Sequence, residues 1–341
     1  MRIGCFTDIH WGVNKNNNDK VKACEEVMHK YGKQMKKLGC REVIFGGDWN
    51  HSRDFLSVGT QERARWALEK FAALFEHTHF IIGNHDCHYK HSNDVNSVEQ
   101  FALIENVSVY KEYAEIEKDG KTLALCPWGY SPKKEKHLSA AFGHFDFTGA
   151  ALVGAVHQGA YTMEQLTDVA PKIFSGHFHI RKDYATKTGT IITGGCPNEQ
   201  NWGDVGNPKG FYVFDTDDSS FTFYENDFSP KHIPVRWSTI KTFDTKQISN
   251  NYLKIIIDAD YEYDSVVKVV QAFGTQGPKS IELDYQYQKE LSNIQATLGD
   301  VSVMSHEEAI NKYIDDMDIE DDERKMIRPI AIAIFKEKSN V

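Results

Sequence analysis

Apolar residues in the first hundred positions alternate between two patterns. Short apolar runs bounded by polar residues are typical of buried strands, and apolar side chains repeated every three to four residues are typical of helices. This rhythm predicts strands at 2–8, 43–45 and 80–82 and helices at 19–38, 60–76 and 95–104. Strands that alternate with helices in this way indicate a sheet covered by helices.

Beyond about residue 107 the apolar runs become shorter and more closely spaced. They predict strands at 121–126, 139–144, 151–156, 171–176, 189–194, 210–215 and 220–225. Two strand-rich halves around one core predict an α/β (α+β) fold, a four-layer sandwich of two mixed sheets flanked by helices.

The pattern changes again near residue 228. Residues 1–228 form the predicted main domain, and the polar, proline-containing segment 229–250 is predicted to be a connector. The pattern of residues 251–300 predicts a small α/β unit, and residues 301–341 are predicted to be a separate C-terminal segment. The final apolar stretch fits either helix or strand spacing, and Pro329 would interrupt one long helix.

Composition excludes several classes of protein. Apolar residues make up 40% of the 341 positions, which is too many for a disordered chain. No apolar run reaches the roughly eighteen residues of a membrane helix. The N-terminus lacks the profile of a signal peptide, and the six cysteines are scattered, so we expect a cytoplasmic protein with reduced thiols. The net charge of −10 is unusual for a protein that binds nucleic acid.

Polar clusters follow the first three predicted strands. Asp8 and His10 end the first strand, Asp48 ends the second, and the sequence Asn84-His85-Asp86 ends the third. Because the carboxyl ends of strands in such sheets face one edge, we expect these clusters to converge. A fourth cluster, which contains His177 and His179, follows the strand at 171–176.

Carboxylates, an amide and imidazoles together form a mixed nitrogen and oxygen ligand set. Such sets suit Mn²⁺, Fe²⁺ or Zn²⁺ better than Mg²⁺ or Ca²⁺, which favour oxygen ligands. One shared carboxylate can bridge two cations about 3.5–4 Å apart, as in two-metal sites for phosphate ester cleavage. The sequence therefore predicts two divalent cations, with Mn²⁺ preferred and Mg²⁺, Fe²⁺ or Zn²⁺ as alternatives.

The ordered set TDIH, GGDWNH, GNHD and SGHFH resembles the calcineurin-like metallophosphoesterase superfamily. Within that superfamily, GGDWNH, with a histidine three residues after its aspartate, resembles the corresponding motif of the SbcD-type DNA repair nucleases. The segments LCPW, GHFDFTGA and GNPKGFYVFD particularly resemble the recombination endonuclease subunits of T-even-like phages. The resemblance covers roughly residues 1–225 well, and the C-terminal unit only in outline.

The resemblance implies a ligand set for each cation. One cation would be bound by Asp8, His10, Asp48 and His179. The second would be bound by Asp48, Asn84, His144 and His177, so that Asp48 bridges the pair. His157 is the alternative to His144, because it follows the cleaner apolar run at 152–156.

The resemblance also implies catalytic roles for three residues. His85 would hydrogen-bond the scissile phosphate or protonate the leaving oxygen, with Asp86 orienting it. His51 would lie beside the site and contact phosphate. The implied activity is that of a DNA exonuclease or endonuclease in a double-strand-break processing and recombination complex.

Partners are implied in the same way. DNA is the expected substrate, the expected assembly is a homodimer with an SbcC-type coiled-coil ATPase, and no membrane is involved. Helices near 60–76 and 93–104 are the expected dimer surface, and the unit 251–290 would position DNA. The ATPase would dock on an apolar face of the C-terminal segment formed by Met326, Ile327, Ile330, Ile334 and Phe335. The expected location is the cytoplasm of a bacterial or phage-infected cell.

Two other functions compete with this one. A phosphatase or small-molecule phosphodiesterase of the same superfamily would share the metal chemistry. Such phosphatases carry an arginine soon after the second aspartate, where this chain has His51, although Arg53 is nearby. A non-catalytic scaffold is the second alternative, but a scaffold has no use for buried, unpaired carboxylates and imidazoles.

Overall fold

The computed structural model describes residues 1–133, 137–152, 154–287, 311, 314–315, 324–325 and 327–329. The chain divides into two compact units, Met1–Asp284 and Tyr285–Val341. The predicted domain limits stay predictions. Among the described residues, no helix combines the length and hydrophobicity that a membrane span requires.

The first sheet has six strands and is mixed. It consists of β1 (Arg2–Phe6), β2 (Cys40–Phe45), β3 (His77–Ile81), β4 (Val107–Tyr110), β13 (Gly210–Asp215) and β14 (Ser220–Glu225). Their order is β14-β13-β1-β2-β3-β4. Strands β1 to β4 run parallel, whereas β13 and β14 pair antiparallel. The carboxyl ends of β1, β2 and β3 therefore meet at one edge.

The second sheet is also mixed and six-stranded. It consists of β5 (Ala114–Lys118), β6 (Lys121–Cys126), β7 (Ala140–Gly143), β10 (Lys172–Ser175), β11 (Lys182–Ala185) and β12 (Thr190–Thr193). The order is β11-β12-β10-β7-β6-β5, with parallel strands in the middle and an antiparallel strand at each edge. The predicted pair of mixed sheets is confirmed.

Five helices are described in the first unit: α1 (Val13–Asn16), α2 (Asn18–Lys37), α3 (Val58–Ala72), α4 (Met163–Thr167) and α5 (Tyr263–Gly274). Helices α2 and α3 cover the outer face of the first sheet, where Tyr31 and Phe71 pack against Phe6. Helix α4 buries Leu166 against the outer face of the second sheet. This arrangement gives the four layers.

The two sheets pack on each other through a third apolar cluster. Ile3, Cys5 and Ile44 of the first sheet face Phe142 and Phe174 of the second. Neighbouring strand residues such as Phe6 and Phe45 point to the opposite face, because successive side chains of a β-strand alternate between the two faces of the sheet. Most central strands are thus buried on both faces, which explains why they read as continuous apolar runs.

Several elements differ from their prediction. The helix predicted at 95–104 is only a 3-10 helix, Glu99–Leu103. The strand predicted at 151–156 is a hairpin of two short strands, β8 (Ala151–Leu152) and β9 (Ala155–Val156), because Gly154 turns the chain with a φ of +74°.

The predicted connector 229–250 is not a simple linker. It contains strand β15 (His232–Arg236), which pairs in parallel with β16 (Tyr252–Ile257) in a three-stranded sheet completed by β17 (Ser280–Tyr285). Pro234 disguised the strand in the sequence. It is tolerated because β15 is an edge strand, where a missing N–H breaks no ladder. Short 3-10 helices at Trp237–Thr242 and Thr245–Gln247 follow.

The predicted partner-binding face falls largely beyond the described part of the chain. Met326, Ile330, Ile334 and Phe335 lie outside the described residues. Ile327 is helical and 38% exposed.

Candidate metal centre

The candidate site forms where the carboxyl ends of both sheets meet. The loops after β1, β2 and β3 supply Asp8, His10, Asp48 and Asn84 from the first sheet. The loops after β7 and β10 supply His144, His177 and His179 from the second. Side chains that are as much as 171 positions apart in sequence are thus brought within a few ångströms of one another.

One half of the site gathers around His10. Its Nε2 lies 2.9 Å from Nε2 of His179, 3.8 Å from Oδ1 of Asp8 and 3.7 Å from Oδ2 of Asp48. Asp8 is itself held by Thr7, whose hydroxyl donates to the carboxylate at 2.6 Å. Four potential ligands therefore point at one another across a small volume.

The other half gathers around Asn84. Its Oδ1 lies 2.9 Å from Nε2 of His144 and 2.8 Å from Nδ1 of His177. Oδ2 of Asp48 is 3.4 Å from Nε2 of His144. The same Asp48 oxygen thus approaches an imidazole from each half, so Asp48 stands between the two groups.

Backbone conformation aims these side chains inward. Asp8, His10, Asp48 and His177 all have positive φ, between +50° and +86°. For residues other than glycine this left-handed conformation costs of order 1–3 kcal/mol each and is concentrated at functional sites. In return, the His177 N–H donates to both oxygens of Asp8 at 3.2 Å.

Asp86 holds the two central loops together. Its carboxylate accepts four backbone N–H groups, from Asp48 and Gly83 at 3.0 Å on one oxygen and from Trp49 and Asn50 at 2.9 and 3.0 Å on the other. A Cβ added to Gly83 would lie 2.3 Å from the N and Oδ1 atoms of Asp48, so only glycine permits this approach.

This arrangement corrects the expectation that Asp86 orients the His85 ring. Both Asp86 oxygens accept backbone N–H groups of the loops, and the ring of His85 is fixed instead by the carbonyl of His51, to which Nδ1 donates at 2.6 Å. The His85 backbone N–H also donates to Oδ1 of Asp48 at 2.7 Å. Asp86 is therefore a loop-holding residue.

His51, His85 and His10 form a further group of imidazoles at the open side of the site. The rings of His51 and His85 are stacked with centroids 5.8 Å apart, and the ring of His10 lies 4.9 Å from that of His85. His51 and His85 are partly exposed, whereas His10 is fully buried. The exposed pair can thus reach a substrate that the buried ligands cannot.

Burial shapes the protonation of the imidazoles. Burial, reinforced by His179, holds the pKa of His10 well below its usual value. Burial and the charge of His144 lower the pKa of His177 to about 3. Burial alone would lower the pKa of His144 too, but the Asp48 carboxylate outweighs it and raises that pKa to about 9. His10 and His177 therefore keep a free lone pair at neutral pH.

The carboxylates are shifted in opposite directions. Burial and the neighbouring Asp48 charge raise the pKa of Asp86, and burial raises the pKa of Asp8. For Asp48, burial is outweighed by the charge and hydrogen bond of His144, so its pKa falls. A positive charge next to Asp48 is what this pocket requires.

These residues fit divalent cations. Buried carboxylates, neutral imidazoles and an amide oxygen converge, and Nδ1 of buried His10 has no hydrogen-bond partner among the described residues. Two of the residue groups that could hold an ion contain Asp8, one with His10 and His179 and one with Asp48 and His144. The mixed nitrogen and oxygen donors suit Mn²⁺, Fe²⁺ or Zn²⁺.

His157, the alternative to His144, lies at the margin. It pairs with Asp146 and its ring is 6.2 Å from that of His177, whereas His144 contacts both Asn84 and Asp48. Asp146 was not predicted from the sequence as a residue of the site, although its position two residues after His144 could have indicated it. His177 Nε2 lies 3.8 Å from its carboxylate.

Known proteins similar to this chain include a phage nuclease subunit. No protein-family model matches the chain. The chain is 26% identical to exonuclease subunit 1 of Enterobacteria phage T4, and the similarity covers 99% of both proteins. The resemblance to phage nuclease subunits that the motifs indicated is confirmed by this full-length similarity.

Solved structures resemble the chain only weakly. A novel archaeal phosphodiesterase matches 66% of this chain and 100% of its own, with 12% identity and a TM-score of 0.35. The E. coli phosphoesterase Yfce (13% identity, TM-score 0.35) and TT1561 of Thermus thermophilus (10%, 0.38) also match 66% of this chain, and 99% and 98% of their own. Scores this low add nothing to the fold, which rests on the two sheets themselves.

We expect Asp86→Asn to lower the free energy of unfolding by about 1–3 kcal/mol, because an amide NH₂ would face two N–H donors and leave them unpaired. Bound divalent metal should also fall, since the Asp48 N–H is one of the donors. Urea titration and metal analysis measure the two effects. The exposed Asp227→Asn is the matched control. Unchanged stability and metal content in Asp86→Asn would contradict the loop-holding role.

Proposed function

We propose that this chain is a metal-dependent phosphodiesterase that cuts DNA, the nuclease subunit of a break-processing and recombination complex. The observation that carries the proposal is the convergence of carboxylate, amide and imidazole ligands on either side of Asp48. The full-length similarity to a phage exonuclease subunit supports DNA as the substrate. The alternative functions share the metal site and differ in what it acts on.

Asp8, His10, Asp48 and His179 would hold one cation, and Asp48, Asn84, His144 and His177 the other, with Mn²⁺ as the preferred ion. When bound, such cations would polarise the phosphoryl oxygens and neutralise the charge that develops as the ester bond breaks. The chain's own contribution is to fix these ligands before substrate arrives. Loop contacts such as those of Asp86 and Thr7 perform that task.

His85 is the proposed acid of the reaction. Donation from Nδ1 to the His51 carbonyl fixes the ring orientation and leaves Nε2 for the substrate. In the protonated ring, Nε2 would donate a proton to the leaving oxygen, whereas His51 would hydrogen-bond the phosphate. Neither residue is needed to hold a cation in this scheme, which separates their role from that of the ligands.

Diester rather than monoester cleavage is favoured by the surroundings of Arg53. Arg53 lines a cavity of about 510 Å³ together with Trp49, Phe55 and Phe101, and none of the proposed metal ligands lines that cavity. His144 instead lines a different cleft. An arginine that grips a phosphate monoester would have to reach the metal ligands, and Arg53 lines a different space.

Two protein partners complete the proposal. A second copy of the chain would pack on the exposed apolar side chains of α3 and of the 3-10 helix Glu99–Leu103, where Trp66 is 54% and Leu103 90% exposed.

An SbcC-type coiled-coil ATPase would bind the C-terminal segment through Met326, Ile327, Ile330, Ile334 and Phe335. With a net charge of −10, this chain would depend on its cations and on such a partner to hold DNA. Such a complex would act in the cytoplasm of a bacterial or phage-infected cell.

With Mn²⁺ present, the protein should hydrolyse end-labelled duplex DNA and bis-p-nitrophenyl phosphate, and act poorly on p-nitrophenyl phosphate. Asp48→Asn should lower both diesterase rates at least ~100-fold, because it removes the shared ligand. Asp217→Asn, at a side chain 83% exposed, is the control. A faster rate on the monoester would favour a phosphatase, and metal binding without any hydrolysis would favour a scaffold.

His85→Ala should keep its bound metal and its affinity for DNA, while kcat falls about 10²–10⁴-fold because a proton donor is lost. Metal analysis, DNA binding and single-turnover cleavage measure the three properties. The exposed His29→Ala provides a matched control. If metal is lost from His85→Ala, the residue is a ligand and its proposed role is wrong.

Truncation after Asp300 should abolish binding of the ATPase partner and leave basal nuclease activity intact, because the metal ligands all lie before residue 180. Co-purification of the two proteins and cleavage of labelled DNA by the truncated chain measure these outcomes. Retained ATPase binding would exclude the C-terminal segment as the docking site.

A further inference from the structure

A cleft of about 810 Å³ opens directly beside the candidate metal centre. His144 and Asp146 form part of its wall, so the cleft and the metal ligands share one continuous space. The rest of the lining comes from other loops and includes Trp128, Tyr130, Tyr161, Lys90 and Lys111. None of these five residues is required by the metal site.

Hydrogen bonds between loops fix the wall of the cleft. The side-chain amide of Asn93, which is only 8% exposed, donates to the carbonyls of Lys111 and Trp128, both at 2.9 Å. The indole N–H of Trp128 donates to the carbonyl of Lys90 at 3.2 Å. Three separate loops are thereby tied into one wall, and a preformed wall lowers the entropic cost of binding.

Three aromatic side chains line the cleft, and one of them, Trp128, lies beside two of the candidate metal ligands. The ring of half-buried Trp128 lies 5.1 Å from the ring of His177 and 6.0 Å from that of His144. Tyr130, two residues later, lines the same cleft and is 37% exposed. Aromatic rings of this kind bind nucleobases by stacking, without requiring a particular base.

We propose that this cleft binds an unpaired nucleobase adjoining the phosphate that is cut, stacked against Tyr130 and Trp128. The inference rests on the proposed function and specifies its substrate: a single strand, or a duplex end whose terminal bases have separated. The base would lie on the His144 and His177 side of the metal centre, opposite His10.

The charges of the cleft favour a base over a second phosphate. Lys90 and Lys111 are balanced by Asp94 and Glu112 in the same lining, and Lys111 is already paired with Glu99 at 3.1 Å. A phosphate-binding groove would need an excess of positive charge. A volume of about 810 Å³ also lies within the range of sites for single small ligands, so it suits one or two nucleotides.

The test compares Tyr130→Ala with the wild-type protein on three single-stranded substrates. These are an oligo(dT) and two matched oligonucleotides with one abasic position, on either side of the bond that is cut. Tyr130→Ala should raise the KM for oligo(dT) about tenfold. For one of the abasic substrates, wild type and Tyr130→Ala should have the same KM, because there is no base to stack. Val205→Ala, at an exposed position outside the cleft, should match wild type on all three.

The outcomes separate this inference from the function on which it rests. If wild type cleaves none of the DNA substrates, the proposed function fails. If wild type cleaves them and Tyr130→Ala leaves every KM unchanged, the cleft does not bind a base. An equal rise in KM on all three substrates would mean that the tyrosine supports the loop instead of the base, and would also overturn the inference.

Discussion

The carboxylate of Asp86 is the contact on which the geometry of the site depends. It binds the N–H groups of Asp48, Trp49 and Asn50 in one loop and that of Gly83 in the next. Charge-assisted hydrogen bonds of this kind are about twice as strong as neutral ones. They can therefore offset the cost of the left-handed backbone at Asp48, which turns its carboxylate toward the metal ligands. The two loops are thus held together by backbone donors to one carboxylate.

The buried negative charge of the metal ligands is therefore only partly compensated inside the protein. Elsewhere, buried carboxylates have basic partners: Asp204 binds Lys209 at 2.6 Å, and Glu42 binds Lys118 at 2.6 Å. Within the described residues, Asp8 and Asp48 have only histidines as basic neighbours. The charge of one histidine, His144, cannot balance two buried carboxylates, so a bound divalent cation would stabilise the pair. Part of the acidity that argues against DNA binding thus belongs to the metal site.

Much of the candidate site could be predicted because strand ends are visible in the sequence. Asp8, Asp48 and Asn84 each follow an apolar run, and parallel strands bring their ends to one edge. The function of Asp86 could not be predicted, because the direction of four peptide N–H groups depends on loop conformation. Trp128 was missed as a cleft residue for a similar reason, since its position depends on an amide 35 residues earlier, that of Asn93. Strand β15 was not predicted because it contains Pro234. A strand accepts a proline at a sheet edge, and the sequence does not show which strand lies at the edge.

The two sheets contribute different ligands to the metal site, so the site forms only if the sheets pack at the right distance from each other. The first sheet provides both carboxylates and the amide, whereas the second provides His144, His177 and His179. The distance between the two sets is therefore set where the sheets touch. At that seam a Cβ on Gly176 would lie 2.3 Å from the Thr7 hydroxyl and 2.6 Å from the Gly46 carbonyl. Side chains there would separate the imidazoles from the carboxylates, so the glycines of GGD and SGHFH serve the packing of the sheets as much as the turns. The motif glycines, which bind no metal, are thus needed to bring the metal-binding residues of the two sheets together.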